Sequence, residues 1–196
     1  VRPLRRDFLL FTGNGKRNQL QRLSVLTIFV YLRGKGGAGS RLRIIMYMEM
    51  GKDIIRKRLR SLRRWMAEEG FDAFVVPTAG PHDSEYIPDY WKAREWLTGF
   101  DGSAGTAVVT SSAAALWTDS RYFLQAADQL QGTGIELYKE MLPETPSIPA
   151  FLSSVLKAGD TVGIDGQVFS VKDEQLLEQQ LQKCRIKVKS IPDPMA

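Results

Sequence analysis

The sequence predicts an α/β domain, a mixed β-sheet flanked by helices. Three observations carry this. Between residues 53 and 191, short apolar runs of strand length alternate with amphipathic stretches of helical period. Two of the runs, Thr106 to Thr110 and Ala113 to Thr118, are separated only by Ser111-Ser112, which makes a hairpin and so an antiparallel pair. The other runs are separated by helical stretches, which is how a chain joins strands that run parallel.

The elements follow in order. Asp53 to Glu69 reads as a helix because Ile55, Leu59, Leu62 and Met66 recur on one face, widened by Ile54 and Trp65, and Gly70 stops it. Arg56, Lys57, Arg58, Arg60, Arg63 and Arg64 lie mainly off that face and are expected to be solvated. Asp72 to Pro77 is almost wholly apolar, as suits a strand buried on both faces. After the hairpin, Asp119 caps a helix to about Leu130, with Phe123, Ala126, Ala127 and Leu130 inward. Ile135 to Lys139 is a strand. Ser147 caps a helix that turns Ile148, Phe151, Leu152, Val155 and Leu156 to a core, ended by Gly159. Thr161 to Asp165 is a strand, Val171 to Cys184 a helix, and Ile186 to Ile191 a last strand before Pro192 and Pro194.

Composition bounds the partners. At 196 residues, 43% apolar and 25% charged, the chain is an ordinary soluble domain with a small appendage. The net charge of +5 is unevenly held: residues 1–45 carry ten basic residues and one acid, while residues 46–196 carry 17 basic and 21 acidic ones. The basic character therefore belongs to the first 45 residues, and neither a nucleic-acid nor a membrane partner is expected. Those residues begin with Val1 and contain an apolar run, Leu23 to Leu32, followed by Arg33 and Lys35 rather than by a small-residue cleavage site. They are expected to be a disordered or non-native extension, with a start at Met46, Met48 or Met50. A targeting segment is the alternative. The domain is then 46–196. No apolar run reaches the ~20 residues of a membrane span. A lone Cys184 excludes an internal disulfide and a cysteine metal cluster, and its place at the end of an amphipathic stretch predicts a buried thiol.

Residues 82–125 hold most of the chemistry. His82 stands beside Asp83 and Glu85, but it is the sole histidine, and a side-chain metal site usually needs three or four ligands, so no metal is expected. Gly99 to Thr106 resembles a phosphate cradle without the Lys-Ser/Thr and helix that a P-loop requires. Ser103 sits in G-S-A-G, not in the G-x-S-x-G of a nucleophile elbow. Arg94, Glu95, Asp119 and Arg121 lie among Trp91, Trp96, Trp117 and Tyr122, a setting for ion pairs or for holding a peptide terminus. No complete catalytic constellation is present.

The same stretch resembles a known family. H-D-S-E-Y-I, then R-E-W-L-T-G-F-D-G-S-A-G-T-A-V-V-T, then A-A-L-W-T-D-S-R-Y-F-L-Q-A are similar to the first domain of Xaa-Pro aminopeptidases of the three-domain type, with the order and spacing kept. D-A-F-V-V-P, P-E-T-P-S and V-G-I-D extend the likeness over about residues 53–193. Asp83 stands where the family commonly has Gln, and Ser120 where it has Gly. The resemblance implies the creatinase/prolidase N-terminal fold, related in outline to ribonuclease H. It implies a non-catalytic domain that contributes to dimerisation and shapes the substrate cleft of an enzyme removing the residue before proline. It places His82, Glu85, Tyr86 and Arg94 at the cleft and gives Trp117, Asp119 and Arg121 a loop-bracing role. The family's two divalent metals (Mn, Co or Zn) belong to a separate C-terminal catalytic domain, expected as the missing partner. A homodimer, a proline-containing peptide substrate and a cytoplasmic location are also expected. The alternative is a free-standing binding or regulatory module of the same fold.

Overall fold

A computed structural model of the chain describes residues 38–82, 84 and 86–192, with side chains from Glu49 onward. Asp83, Glu85, the first 37 residues and the last four lie outside the described residues.

Helix α1, Ala38–Glu69, starts well before the expected Asp53. Its apolar stripe behaves as the period requires: Leu62 and Met66 are 1% exposed, and burying each such side chain contributes about 1.5–3 kcal/mol. The chain then enters β1, Ala73–Pro77. A 3-10 turn at Asp89–Trp91 leads into the short α2, Ala93–Thr98. The hairpin is β2, Thr106–Thr110, and β3, Ala114–Thr118. A second 3-10 turn, Ser120–Tyr122, opens α3, Phe123–Leu130. Then follow β4 at Glu136–Lys139, α4 at Ile148–Val155, β5 at Thr161–Asp165, α5 at Val171–Gln182 and β6 at Lys187–Ile191.

The sheet order is β4-β3-β2-β1-β5-β6. Strand β2 runs antiparallel to both its neighbours, while the β1–β5, β5–β6 and β3–β4 pairs are parallel. The mixed sheet is as the sequence predicts. Side chains alternate across it with period two. Phe74, Val76, Ala107, Val109 and Leu116 join a core with α1, α2 and α3, whereas Val75, Val108, Trp117, Val162 and Ile164 join a second core under α4 and α5. Strand β1 lies in the middle, with four of its five residues buried, which explains its lack of polar residues.

Several expectations are corrected. Ala127 and Val155 are exposed, because α3 and α4 are each only eight residues long and show the sheet a narrower face than assumed. Helix α5 ends at Gln182, so Cys184 falls in the following turn and its thiol is exposed rather than buried. Its backbone N–H bonds to the Leu181 carbonyl, and Arg185 takes a left-handed φ of 56°. The basic face of α1 is only partly solvated. Arg58 donates to the Trp96 carbonyl at 2.5 Å and lies 4.5 Å over the Trp96 ring, with burial lowering its pKa to about 10. Arg63 donates to the Thr110 carbonyl at 2.9 Å, and Arg56 reaches the Gly132 carbonyl.

Candidate functional site

A cleft of about 260 Å³ opens at the carboxyl end of β1, between the segment that follows this strand and the glycine-rich loop 99–105. Thr78, Tyr86, Trp91, Arg94, Glu95 and Ser103 are among its lining residues. The end of β1 and the loop that leads from α2 into β2, the strand antiparallel to β1, bring these residues together.

One wall is held by Arg94, which is 3% exposed. Helix α2 aims this side chain inward. Its Nε donates to Thr78 Oγ1 at 2.8 Å, its Nη1 to the Phe100 carbonyl at 2.5 Å, and its Nη2 to the Gly102 carbonyl. The guanidinium also lies 4.7 Å over the Phe100 ring. No carboxylate is within ion-pair distance of it among the described residues. Burial accordingly lowers its pKa to about 10, so it stays charged at neutral pH. Three of its donors are thus engaged in shaping the loop. Thr78 Oγ1 in turn donates to the Gly105 carbonyl at 2.8 Å.

The loop is fixed from its other side as well. Phe100 N–H donates to Thr98 Oγ1 at 3.1 Å. Asp101 accepts from Gln125 at 2.6 Å and Gln129 at 2.7 Å, and its own N–H donates to Gln129 Oε1. Ser103 Oγ and the Tyr122 hydroxyl share a hydrogen bond of 2.6 Å, and Thr118 Oγ1 donates to the Ala104 carbonyl at 2.7 Å. The small residues are required by close approach. A Cβ on Gly102 would sit 2.3 Å from Phe100 Cζ, and one on Gly105 would sit 2.8 Å from the Trp117 carbonyl oxygen.

The facing wall differs. Tyr86 is 83% exposed, and its N–H donates to Ser84 Oγ at 3.3 Å. Tyr90 is 56% exposed and meets the Trp91 ring edge-on at 4.9 Å. Lys92 bonds Asp89 at 2.8 Å, which raises its pKa, and stands 4.0 Å from Glu95. Partial burial raises the Glu95 pKa against the opposing pull of Lys92.

Of the expected cleft residues, Tyr86 and Arg94 therefore meet at one site. His82 is exposed and is not among the lining residues, and Glu85 lies outside the described residues. Trp117 is buried, donates to the Pro146 carbonyl at 2.8 Å and stacks on Tyr138, which ties it to the segment before α4. Asp119 caps the Ser120–Tyr122 turn and pairs with Arg121 through both carboxylate oxygens, at 3.0 and 2.7 Å. That hydrogen bond from Arg121 holds the Asp119 carboxyl below its usual range. Thr78, Thr98, Gln125 and Gln129 were not singled out from the sequence. Their bonds join positions up to 28 residues apart, which no local pattern reveals. No three His, Cys, Asp or Glu side chains converge as a metal seat among the described residues.

Comparison with known proteins decides the lineage. The family described as the creatinase/prolidase N-terminal domain matches residues 58–194. The chain belongs to this family. Among its relatives, aminopeptidase P2 of Arabidopsis thaliana is 41% identical over 134 residues, covering 67% of this chain and 19% of that protein. Xaa-Pro aminopeptidase 2 of Rattus norvegicus is 42% identical over 125 residues, 64% of this chain and 18% of that one. The X-prolyl aminopeptidase of Caenorhabditis elegans, described as a cytosolic enzyme with a di-nuclear active site, superposes with a TM-score of 0.62 at 30% identity, over 74% of this chain and 24% of that chain. An Xaa-Pro aminopeptidase structure from Streptococcus pyogenes superposes at 0.51 with 26% identity, over 70% of this chain and 93% of that one. The chain thus spans about a fifth of the curated relatives it matches. Among the described residues, no helix is long and apolar enough to cross a membrane.

Proposed function

We propose that this creatinase/prolidase N-terminal domain is the non-catalytic part of a metal-dependent Xaa-Pro aminopeptidase, contributing dimer contacts and one side of the substrate cleft. The parent reaction removes the N-terminal residue that precedes proline. The observation that carries this reading is the family match over residues 58–194 by a chain spanning about a fifth of its Xaa-Pro aminopeptidase relatives. The cleft at the carboxyl end of β1, with Tyr86 and Arg94 in its lining, supports the part about substrate. The two metals would be held in a catalytic domain, and their water-activating chemistry would be supplied from there. A cytoplasmic location is part of the same reading.

The test is direct. The purified chain, given Mn²⁺ and an Xaa-Pro peptide, is expected to release no N-terminal residue detectable by mass spectrometry. Turnover at about 1 s⁻¹ or faster would end the non-catalytic reading. Light scattering after size exclusion should give twice the 22.0 kDa chain mass, and a strict monomer at all concentrations would remove the dimer contacts.

A further inference from the structure

Two exposed aromatic side chains stand four residues apart, Tyr86 in the cleft lining and Tyr90 against Trp91, which also lines it. Tyr86 and Tyr90 are the only aromatics among the exposed large apolar side chains of the described residues. Trp91 lines the cleft beside Tyr86, with Tyr90 packed against its ring at 86°. Among the described residues, the Tyr86 hydroxyl and the Trp91 indole N–H have no hydrogen-bond partner. Flat aromatic faces beside donors not engaged within the protein suit a ligand that is apolar, carbonyl-rich and poor in N–H groups.

The charges in the cleft point the same way. Arg94 is engaged with the Thr78 hydroxyl and two carbonyls, Lys92 with Asp89, and Asp101 with Gln125 and Gln129. Arg94 and Asp101 are thus held by neutral groups of the fold and Lys92 by a neighbouring carboxylate, so these three side chains are turned to the protein rather than to an ionic ligand. A polyproline II segment meets the description. It makes no internal hydrogen bonds, its carbonyls face outward, and its rings lie against aromatic side chains. Its stiffness also lowers the ordering cost of binding.

We infer that Tyr86, Tyr90 and Trp91 form a docking groove for a proline-rich peptide in the polyproline II conformation. This rests on, and deepens, the reading of the domain as part of an Xaa-Pro aminopeptidase. It adds a recognition role, exercised on the peptide away from any reacting bond, that selects substrates with several prolines.

The experiment titrates the isotopically labelled chain with the nonapeptide Ala-Pro-Pro-Ala-Pro-Pro-Ala-Pro-Pro and follows the Trp91 indole resonance. Saturable binding with a Kd below about 1 mM is expected. The same peptide with every Pro replaced by Ala should bind at least about tenfold more weakly. Tyr86→Ala should weaken binding by about five- to tenfold. Tyr86→Phe keeps the face and loses the hydroxyl, so it should cost about two- to threefold. Trp65, Trp96 and Trp117 resonances that stay in place show that each variant is folded. No saturable binding, equal binding of the alanine peptide, or no effect of Tyr86→Ala would each overturn the groove. Such a failure leaves the hydrolysis and light-scattering outcomes standing, and turnover by the chain alone would leave the groove standing.

Discussion

The two walls of the cleft come from one sequence stretch and are built on opposite principles. The glycine-rich loop 99–105 is over-determined. Arg94, Thr78, Thr98, Thr118, Tyr122, Gln125 and Gln129 all bond to it, from elements on both sides. In the segment that follows β1, Tyr86 is exposed and, among the described residues, is held by one long backbone hydrogen bond. The difference teaches how to read a motif rich in charges. In this motif the buried arginine builds the wall, and the exposed aromatics are left for recognition. A charge deep in a protein needs its donors matched, so Arg94 is tied to the scaffold. An exposed tyrosine carries no such obligation.

Mutations on the two sides should therefore behave differently. The largest effect is expected from Arg94→Ala, which strands the Phe100 and Gly102 carbonyls and the Thr78 hydroxyl and leaves a void. It should lower unfolding stability by about 3–5 kcal/mol in urea. Arg94→Lys should recover little of this, since one ammonium cannot serve three diverging acceptors. Gly102→Ala, which drives a methyl into the Phe100 ring, should cost about 2–3 kcal/mol by the same measurement. Thr78→Val should cost about 1–2 kcal/mol, because Arg94 Nε and the Gly105 carbonyl each lose a partner. On the other wall, Tyr86→Ala should change stability by no more than about 0.5 kcal/mol. A Tyr86 variant as damaging as Thr78→Val would erase the contrast between the walls.

The smallest effect concerns Asp119. Its carboxyl is held below the usual range by the hydrogen bond from Arg121. A depressed folded pKa means a contribution present above the ordinary aspartate value of about 3.9 and lost as pH falls through the folded value. Thermal midpoints of the chain and of Asp119→Asn should therefore differ slightly at neutral pH and converge in strong acid. Because Arg121 is exposed and Asp119 partly so, the neutral difference should shrink in high salt. A difference that grows on acidification would have the wrong sign.

Much of the fold was legible in the sequence because its signals are local. The α1 stripe, the Ser111-Ser112 hairpin and the Ser147 cap each lie within a few turns or residues, and each is found where expected. The misses have physical causes. Ala127 lies on the exposed side of α3, Val155 ends α4, and Cys184 falls in the turn after α5, so a periodic pattern read across them overstates the buried arc. The arginines of α1 were expected in solvent, but Arg58 and Arg63 bond to carbonyls 38 and 47 residues away. The site was half legible. Tyr86 and Arg94 were named together and meet at the cleft, whereas the threonines and glutamines that fix the loop were invisible, being common residues whose value is set by distant partners. Trp117 abuts this loop through its carbonyl at Gly105, while its indole N–H reaches Pro146.

The contrast between the walls is tested most directly by native-state hydrogen exchange at Phe100, Asp101 and Tyr86. The Phe100 and Asp101 amides, bonded to Thr98 and Gln129, should exchange only through unfolding of the whole domain, with the full dependence on denaturant, while the Tyr86 amide exchanges through local opening. In Arg94→Lys, protection at Phe100 and Asp101 should fall toward that of Tyr86. Equal protection of all three amides in the unmodified chain, or protection at Phe100 unmoved by Arg94→Lys, would contradict a cleft with one wall stapled by Arg94 and one left soft.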